Sequence, residues 1–358
     1  MAVRLPTKEA GRIVQYFDFS HIECGFTLGD KTTVTSWEVP DEKTAIGSGA
    51  FSGFTGLRSI TIPDSVKEIG DNAFLNCRNL RSVTLPAGLR RIWYEAFRGC
   101  ESLSSVTIPH GVREIGYGAF EDCTGLSSVT IEDGVQIIGG WAFRNCKSLA
   151  SVTIPDSVRM MEIEAFKNCE SLSGVAIPGS LREIDSYVFA GCKNLTSIVI
   201  PETIESIGSG AFESCTGLTS VRIPDSVTKV GYRAFKNCTS LCSVTIPDSV
   251  TVLEHEVFRR CVSLPSVSAP HSIREIGIWA FAECTGIRSF SVPDSVTKIE
   301  RCAFEGCSNL ESVTIPDSVT EIGHGAFRGC SSLVLRGSEK SCACRYALEE
   351  NIPFQVTD

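Results

Sequence analysis

No run of eighteen apolar residues occurs in this 358-residue chain, so no segment reads as a membrane-spanning helix. Basic residues are the minority. The 33 Lys and Arg against 42 Asp and Glu leave a net charge of −9, which argues against a general nucleic-acid binder, because that needs a basic stripe. Histidine is scarce, and none of the five (His21, His110, His255, His271 and His324) is placed beside both an acid and a nucleophile, as triad chemistry requires. No glycine-rich phosphate loop is present. Cys342 and Cys344 form a lone close pair, short of the four ligands zinc wants. These absences point away from an enzyme, and no metal or cofactor is expected. Residues 1–8 lack the apolar stretch of a secretion signal, which suggests either an intracellular chain or a trimmed piece of an exported one.

What the chain does have is a beat. Phe recurs every 23 residues without a slip, at Phe51, Phe74, Phe97, Phe120 and onward to Phe327. A fixed period of this length is the mark of a solenoid. Counting from each Phe, Cys stands three residues on (Phe54 in the first copy) and Leu, or Ile287 once, six on. Val or Ile stands mostly at nine, Ile mostly at eleven, and aliphatic residues at fifteen and eighteen. A single copy cannot hide this many apolar positions, whereas stacked copies bury them as continuous columns. The Leu-x-x-Val-Thr-Ile stretch is β-branched and reads as a short strand. Pro ends it, and Asp-Ser or Gly turns the chain. Ala-Phe-x-x-Cys reads as about one helical turn, and the Gly or Asn before the Cys suits a left-handed helix end. Of 17 Cys, twelve occupy one buried column. Equivalent side chains on stacked coils point in parallel, which fits disulfide geometry poorly, so reduced core thiols and a reducing compartment are expected.

The pattern Leu-x-x-Val-x-Ile-Pro-x-x-Val-x-x-Ile-Gly-x-x-Ala-Phe-x-x-Cys resembles the BspA-type leucine-rich repeat. The resemblance implies a right-handed α/β solenoid, with a parallel sheet on its concave face and short helical turns on its convex face. It also implies a surface protein that adheres to host or matrix proteins. Three parts are expected: an N-terminal cap over residues 1–38, a solenoid of about thirteen repeats over 39–333, and a C-terminal cap over 334–358. Residues 13–18 read as a strand. Leu28, Val34, Trp37 and Val39 read as a degenerate copy, with Trp37 over the first coil. Residues 338–350 read as a helix with Ser338 a candidate N-cap, and 352–356 as a final strand.

Two surfaces could bind. Ser at eight and Thr at ten past the Phe form hydroxyl ladders, which are mostly a solvated sheet face. Arg222, with Val199 and Ala176, interrupts the Thr ladder. The second surface is an edge. Trp93, Tyr94, Tyr117, Trp141, Tyr187, Tyr232 and Trp279 all lie two to four residues before a marker Phe, where the core does not require a ring. Local packing over the neighbouring coil is one account, and a partner-binding row is the other. The sequence therefore reads as a non-enzymatic, monomeric protein-binding module whose partner is another protein, with no nucleic acid and no membrane insertion. It is a surface adhesin by resemblance, and an intracellular scaffold or a self-assembling structural module by alternative.

Overall fold

The computed structural model describes residues 28–357, so the strand expected at 13–18, with His21 and Cys24, lies outside the described residues. Two compact units divide between Pro178 and Gly179.

In the unit Met1–Pro178 each coil contributes two short parallel strands. The first carries the Ser-Val-Thr run. Ser36–Glu38, Ser59–Thr61 and Ser82–Thr84 form one sheet; Ser105–Ile108, Ser128–Ile131, Ser151–Thr153 and Gly174–Val175 form another. The second strand is two residues long, and six copies from Ala45–Ile46 to Met160–Met161 make one sheet. Within each sheet the paired residues are equivalents in successive coils, as in Ser59↔Ser82, Ile60↔Val83 and Thr61↔Thr84. A period without insertions enforces this register, because a one-residue slip would turn the apolar set outward. A proline after most first strands (Glu132 takes its place after Ser128–Ile131) turns the chain: Val66 N donates to Pro63 O at 3.1 Å, and Leu89 N to Pro86 O at 2.9 Å.

The marker rings stack from Phe51 through Phe74, Phe97, Phe120 and Phe143 to Phe166, with successive centroids 4.9–5.4 Å apart. Each is buried. The cysteines beside them are also free and buried. Their thiols donate to the Phe carbonyl of the preceding coil, Cys77 to Phe51 at 3.0 Å and Cys123 to Phe97 at 3.1 Å. This explains Cys at that position. It is small and apolar, yet it carries a weak donor for a carbonyl that water cannot reach. At the start of the unit Trp37 is buried and meets Phe51 edge-on at 5.8 Å.

The side that carries the Phe departs from the expected helical turns. Among the described residues the only helices are Leu28–Thr33 and Cys342–Glu349. The Ala-Phe-x-x-Cys segments are runs of turns instead. Residues two before and two after each Phe are left-handed, as at Asn72 (φ 55°) and Asn76 (φ 58°) around Phe74. The N–H groups of Asn72, Phe74 and Asn76 donate to the next coil, at Tyr94, Ala96 and Arg98, over 2.7–2.8 Å. A helix would spend those groups within its own segment; here they join the coils. The left-handed Gly or Asn before the Cys is real, but it belongs to a turn and not to a helix end.

The unit Gly179–Asp358 is built the same way. Its two-residue strands form sheets Glu183–Ile184 to Lys229–Val230 and Val252–Leu253 to Glu321–Ile322. On the Ser/Thr side, Ser220–Arg222 pairs with Ser243–Thr245, and Ser289–Ser291, Ser312–Thr314, Val334–Gly337 and Phe354–Val356 form a parallel sheet. The Phe189 to Phe327 rings stack at 5.2–5.8 Å. The helix Cys342–Glu349 sets Tyr346 edge-on to Phe327 at 6.0 Å. Its N-cap is Ser341, whose side chain accepts from Cys344 N at 3.2 Å, and not Ser338. Ser338 instead accepts from the Ser341 hydroxyl through its carbonyl, while its own hydroxyl bonds Asp317.

Candidate functional site

Between the two-residue strand and the marker Phe, each coil of the unit Met1–Pro178 presents three side chains at its edge. Stacking makes columns of them. The column three before the Phe runs Tyr94, Tyr117, Gly140, Ile163. Tyr94 and Tyr117 lie parallel with centroids 5.6 Å apart. Gly140 then leaves a gap. A Cβ there would sit 3.0 Å from the Tyr117 ring and 3.3 Å from Ile163 Cγ2, so both neighbours lean over it. Trp141, one residue on, brings its ring within 4.8 Å of Tyr117. Trp93 stands beside Tyr94 beneath the Arg91 guanidinium, 5.1 Å from its ring. Trp93 is 39% exposed, Tyr94 44% and Ile163 41%, so this is an apolar ridge open to solvent and not a core.

Trp141 holds a left-handed backbone at φ 60°, a conformation that a bulky residue rarely adopts. Gly118 fills the equivalent place one coil earlier with the same φ. Trp141 is thus kept where glycine would be easier.

Beneath the ridge runs a band of charge. Arg98 bonds Glu95 at 2.9 Å and lies 3.0 Å from Glu121; Arg144 reaches Glu164 at 3.1 Å and covers Trp141 at 4.7 Å. Burial pushes the Glu121 carboxyl up, against the pull of Arg98. Burial likewise pushes up the Tyr117 hydroxyl, and a hydrogen bond with Glu95 raises that of Tyr94. The band locks the Arg heads and so fixes the rings above them.

Of the eight residues singled out from sequence, Trp93, Tyr94, Tyr117 and Trp141 come together. The other four lie in the unit Gly179–Asp358 and are dispersed. The Tyr187 ring lies over Gly210, where a Cβ would clash with it. Tyr232 stacks on His255 at 5.3 Å. Trp279 lies between Arg259 and Arg301 and donates through Nε1 to Glu305 at 3.0 Å. Arg222 sits on the Ser/Thr side, in the strand Ser220–Arg222, with Nη1 2.7 Å from Glu202. Ile163 does not stand out by residue type, because isoleucine is also the ordinary residue of the buried columns. Its place in one column with Tyr94 and Tyr117 is what marks it. Among the described residues no group of three or more His, Cys, Asp or Glu could hold a metal ion, and no helix is long and apolar enough to cross a membrane.

Residues 29–149, 114–242 and 205–334 match the BspA type leucine rich repeat region. The chain belongs to the BspA-type leucine-rich repeat family. A search of curated proteins gave no match. This BspA-type protein is similar to a leucine-rich repeat protein from Bacteroides ovatus ATCC 8483, 28% identical with a TM-score of 0.76, over 98% of this chain and 97% of the other. It is also similar to a leucine rich cell surface protein from Faecalibacterium prausnitzii A2-165, 29% identical with a TM-score of 0.55, over 88% and 91%. The pneumococcal vaccine antigen PcpA shares the fold at 18% identity and a TM-score of 0.65, over 93% and 91%. Family and fold are of the repeat-scaffold type, generally non-enzymatic, and leucine-rich repeat proteins generally bind proteins.

Proposed function

We propose that the chain is a non-enzymatic surface adhesion module that binds a host or matrix protein through the ridge Trp93, Tyr94, Tyr117, Trp141 and Ile163. The observation that carries this reading is the ridge itself. Four rings and an isoleucine gather at one edge, with Trp93, Tyr94 and Ile163 exposed and Tyr117 and Trp141 half-buried, on a scaffold whose columns need none of them, and Trp141 is held at a left-handed backbone. Interfaces favour Trp, Tyr and Arg, with hot spots in ordered, preorganised clusters. Surface placement draws support from the 29% identical cell surface protein. The thiol column does not speak against it, because burial raises those thiols and makes them inert in any compartment. Residues 1–38 and 334–358 act as caps that close the ends of the apolar columns, and the chain works as a monomer.

The test is binding of the full chain to a panel of immobilised matrix proteins by biolayer interferometry, against a variant with alanine at Trp93, Tyr94, Tyr117 and Trp141. A matrix protein bound by the parent and at least tenfold more weakly by the variant is the expected result. Equal binding by both would remove the ridge from the reading. Light scattering over a concentration series addresses the self-assembly alternative, which requires mass to grow with concentration.

A further inference from the structure

We infer that the unit Met1–Pro178 carries a second recognition element beside the ridge: a basic groove that takes an acidic, extended peptide segment of the bound protein. The groove has a volume of about 820 Å³, and its charged lining includes Lys67, Arg90, Arg91 and Arg113 against Glu114. Lys67, Arg90 and Arg113 hold the same place in three successive coils, sixteen residues after Phe51, Phe74 and Phe97. Stacking therefore sets their backbones about 4.8 Å apart, and Arg113 N donates to Arg90 O at 3.4 Å.

Two features separate this row from an ordinary solvated charge run. Arg90 and Arg113 are exposed and have no carboxylate within 4.0 Å among the described residues, whereas Arg98 and Arg144 nearby are tied to acids. In a chain of net charge −9, unpaired guanidiniums gathered in a concavity stand out. The other feature is the floor. The turn serines that in the other unit donate to the preceding coil, such as Ser226 to Ile204 O at 2.6 Å, are replaced here by Gly88 and Gly111. A Cβ at Gly88 would fall against Lys67 Nζ and one at Gly111 against Leu89 O, so the glycines let successive coils close up and seat the Lys67 ammonium, which donates to Asp64 O at 2.7 Å, in the groove.

The occupant follows from the charge pattern and the neighbours. Glu114 lies among the cations, so a dense polysulfate would meet repulsion that spaced carboxylates avoid. Gln136 also lines the groove and offers an amide to a peptide backbone. Arg91 belongs to both places, lining the groove and covering Trp93. An acidic stretch in the groove thus delivers the residue that follows it to the ridge.

This inference rests on the reading of the chain as a protein-binding module, and the two fail separately. The experiment is fluorescence anisotropy of a fluorescein-labelled hexaglutamate peptide with the full chain. The comparison is between Arg90→Glu/Arg113→Glu and Arg58→Glu/Arg81→Glu, which removes the same charge from exposed arginines outside the groove. Saturable binding, weakened by salt, lost at least tenfold in the groove variant and kept within twofold in the control, is expected. Arg90→Gln/Arg113→Gln replaces the reversal variant should circular dichroism show that one misfolded. No binding by the parent, or equal loss in both variants, would overturn the groove while leaving the ridge to its own test. A sulfated oligosaccharide of equal charge binding more tightly than hexaglutamate would also overturn it.

Discussion

Trp141 and Phe143 are two residues apart in one turn, and the structure assigns them opposite roles. Phe143 is fully buried in the ring column, between Phe120 at 5.4 Å and Phe166 at 5.2 Å. Phe143→Ala should cost about 3–5 kcal/mol, the usual range for emptying a core phenylalanine site. Trp141→Gly loses the Tyr117 contact, about 0.5–1.5 kcal/mol, and the Arg144 contact, about 0.5–1 kcal/mol. Glycine adds about 0.5–1 kcal/mol of chain entropy. Against this, releasing a left-handed tryptophan returns about 1–2 kcal/mol. The net is a loss of about 1 kcal/mol, a small fraction of the Phe143→Ala effect. Urea unfolding followed by far-ultraviolet circular dichroism, with both variants beside the parent, measures the difference. A Trp141→Gly loss as large as that of Phe143→Ala would mean that the ring is core packing, and the ridge would lose its claim to be a recognition surface.

Glu256 offers a pH test in the other unit. Burial alone would raise it, but Lys236 at 2.6 Å and Arg233 at 2.7 Å outweigh that and hold it at about 2, below the 4.5 of a free carboxyl. A depressed carboxylate stabilises the fold above its unfolded pKa. Glu256→Gln should therefore cost on the order of 3 kcal/mol at pH 7, with the gap to the parent closing as pH falls from about 4.5 toward 2 in urea titrations. A gap that stays constant would refute the ion-pair account. Gly116→Ala should destabilise by more than about 1 kcal/mol, because its Cβ would fall 2.6 Å from Ile92 O. Gly174→Ala, with nothing within 4 Å, should stabilise by about 0.5–1 kcal/mol; thermal melts rank the two. Under native alkylation with iodoacetamide, exposed Cys242 should react first among the described cysteines. Cys215 and Cys284, which burial pushes up to about 12, should react only after urea is added, as peptide mass spectrometry would show. Prompt labelling of that pair would contradict a sealed thiol column.

The unbroken beat of Phe was enough to read stacked coils, in-register strands and a buried Cys column from residues alone, because period and polarity carry that information. They do not carry backbone handedness. Ala-Phe-x-x-Cys suits a helical turn as well as a run of turns, and what decides is whether the N–H groups of Asn72, Phe74 and Asn76 find partners in the next coil. Likewise Ser338 is the N-cap expected from sequence, and the capping bond to Cys344 N makes it Ser341 instead. The ridge was legible in part. Its rings announce themselves by type, whereas Ile163 and the row Lys67, Arg90 and Arg113 are seen only when positions are compared down a column and not along the chain.

The same column logic explains why recognition and stability separate in this protein. The residue two before each Phe is left-handed in every coil, whether it is Gly118, Glu95, Trp141 or Glu256. The conformation persists because its N–H is bonded to the next coil, as Glu95 N is to Tyr117 O at 2.9 Å and Trp141 N to Ile163 O at 3.0 Å. The backbone, not the side chain, thus secures the turn, and the side chain is free to vary. It serves as an anchor for cations at Glu256, as a link in the charge band at Glu95, and as a half-buried ring against Tyr117 at Trp141. Because the stack tolerates any of these at one site, a binding surface can change residue by residue with no change to the Phe and Cys columns behind it. Such a scaffold couples fold tightly to sequence and ligand only loosely, and the proposed ridge accordingly lies on the edge where the coils differ.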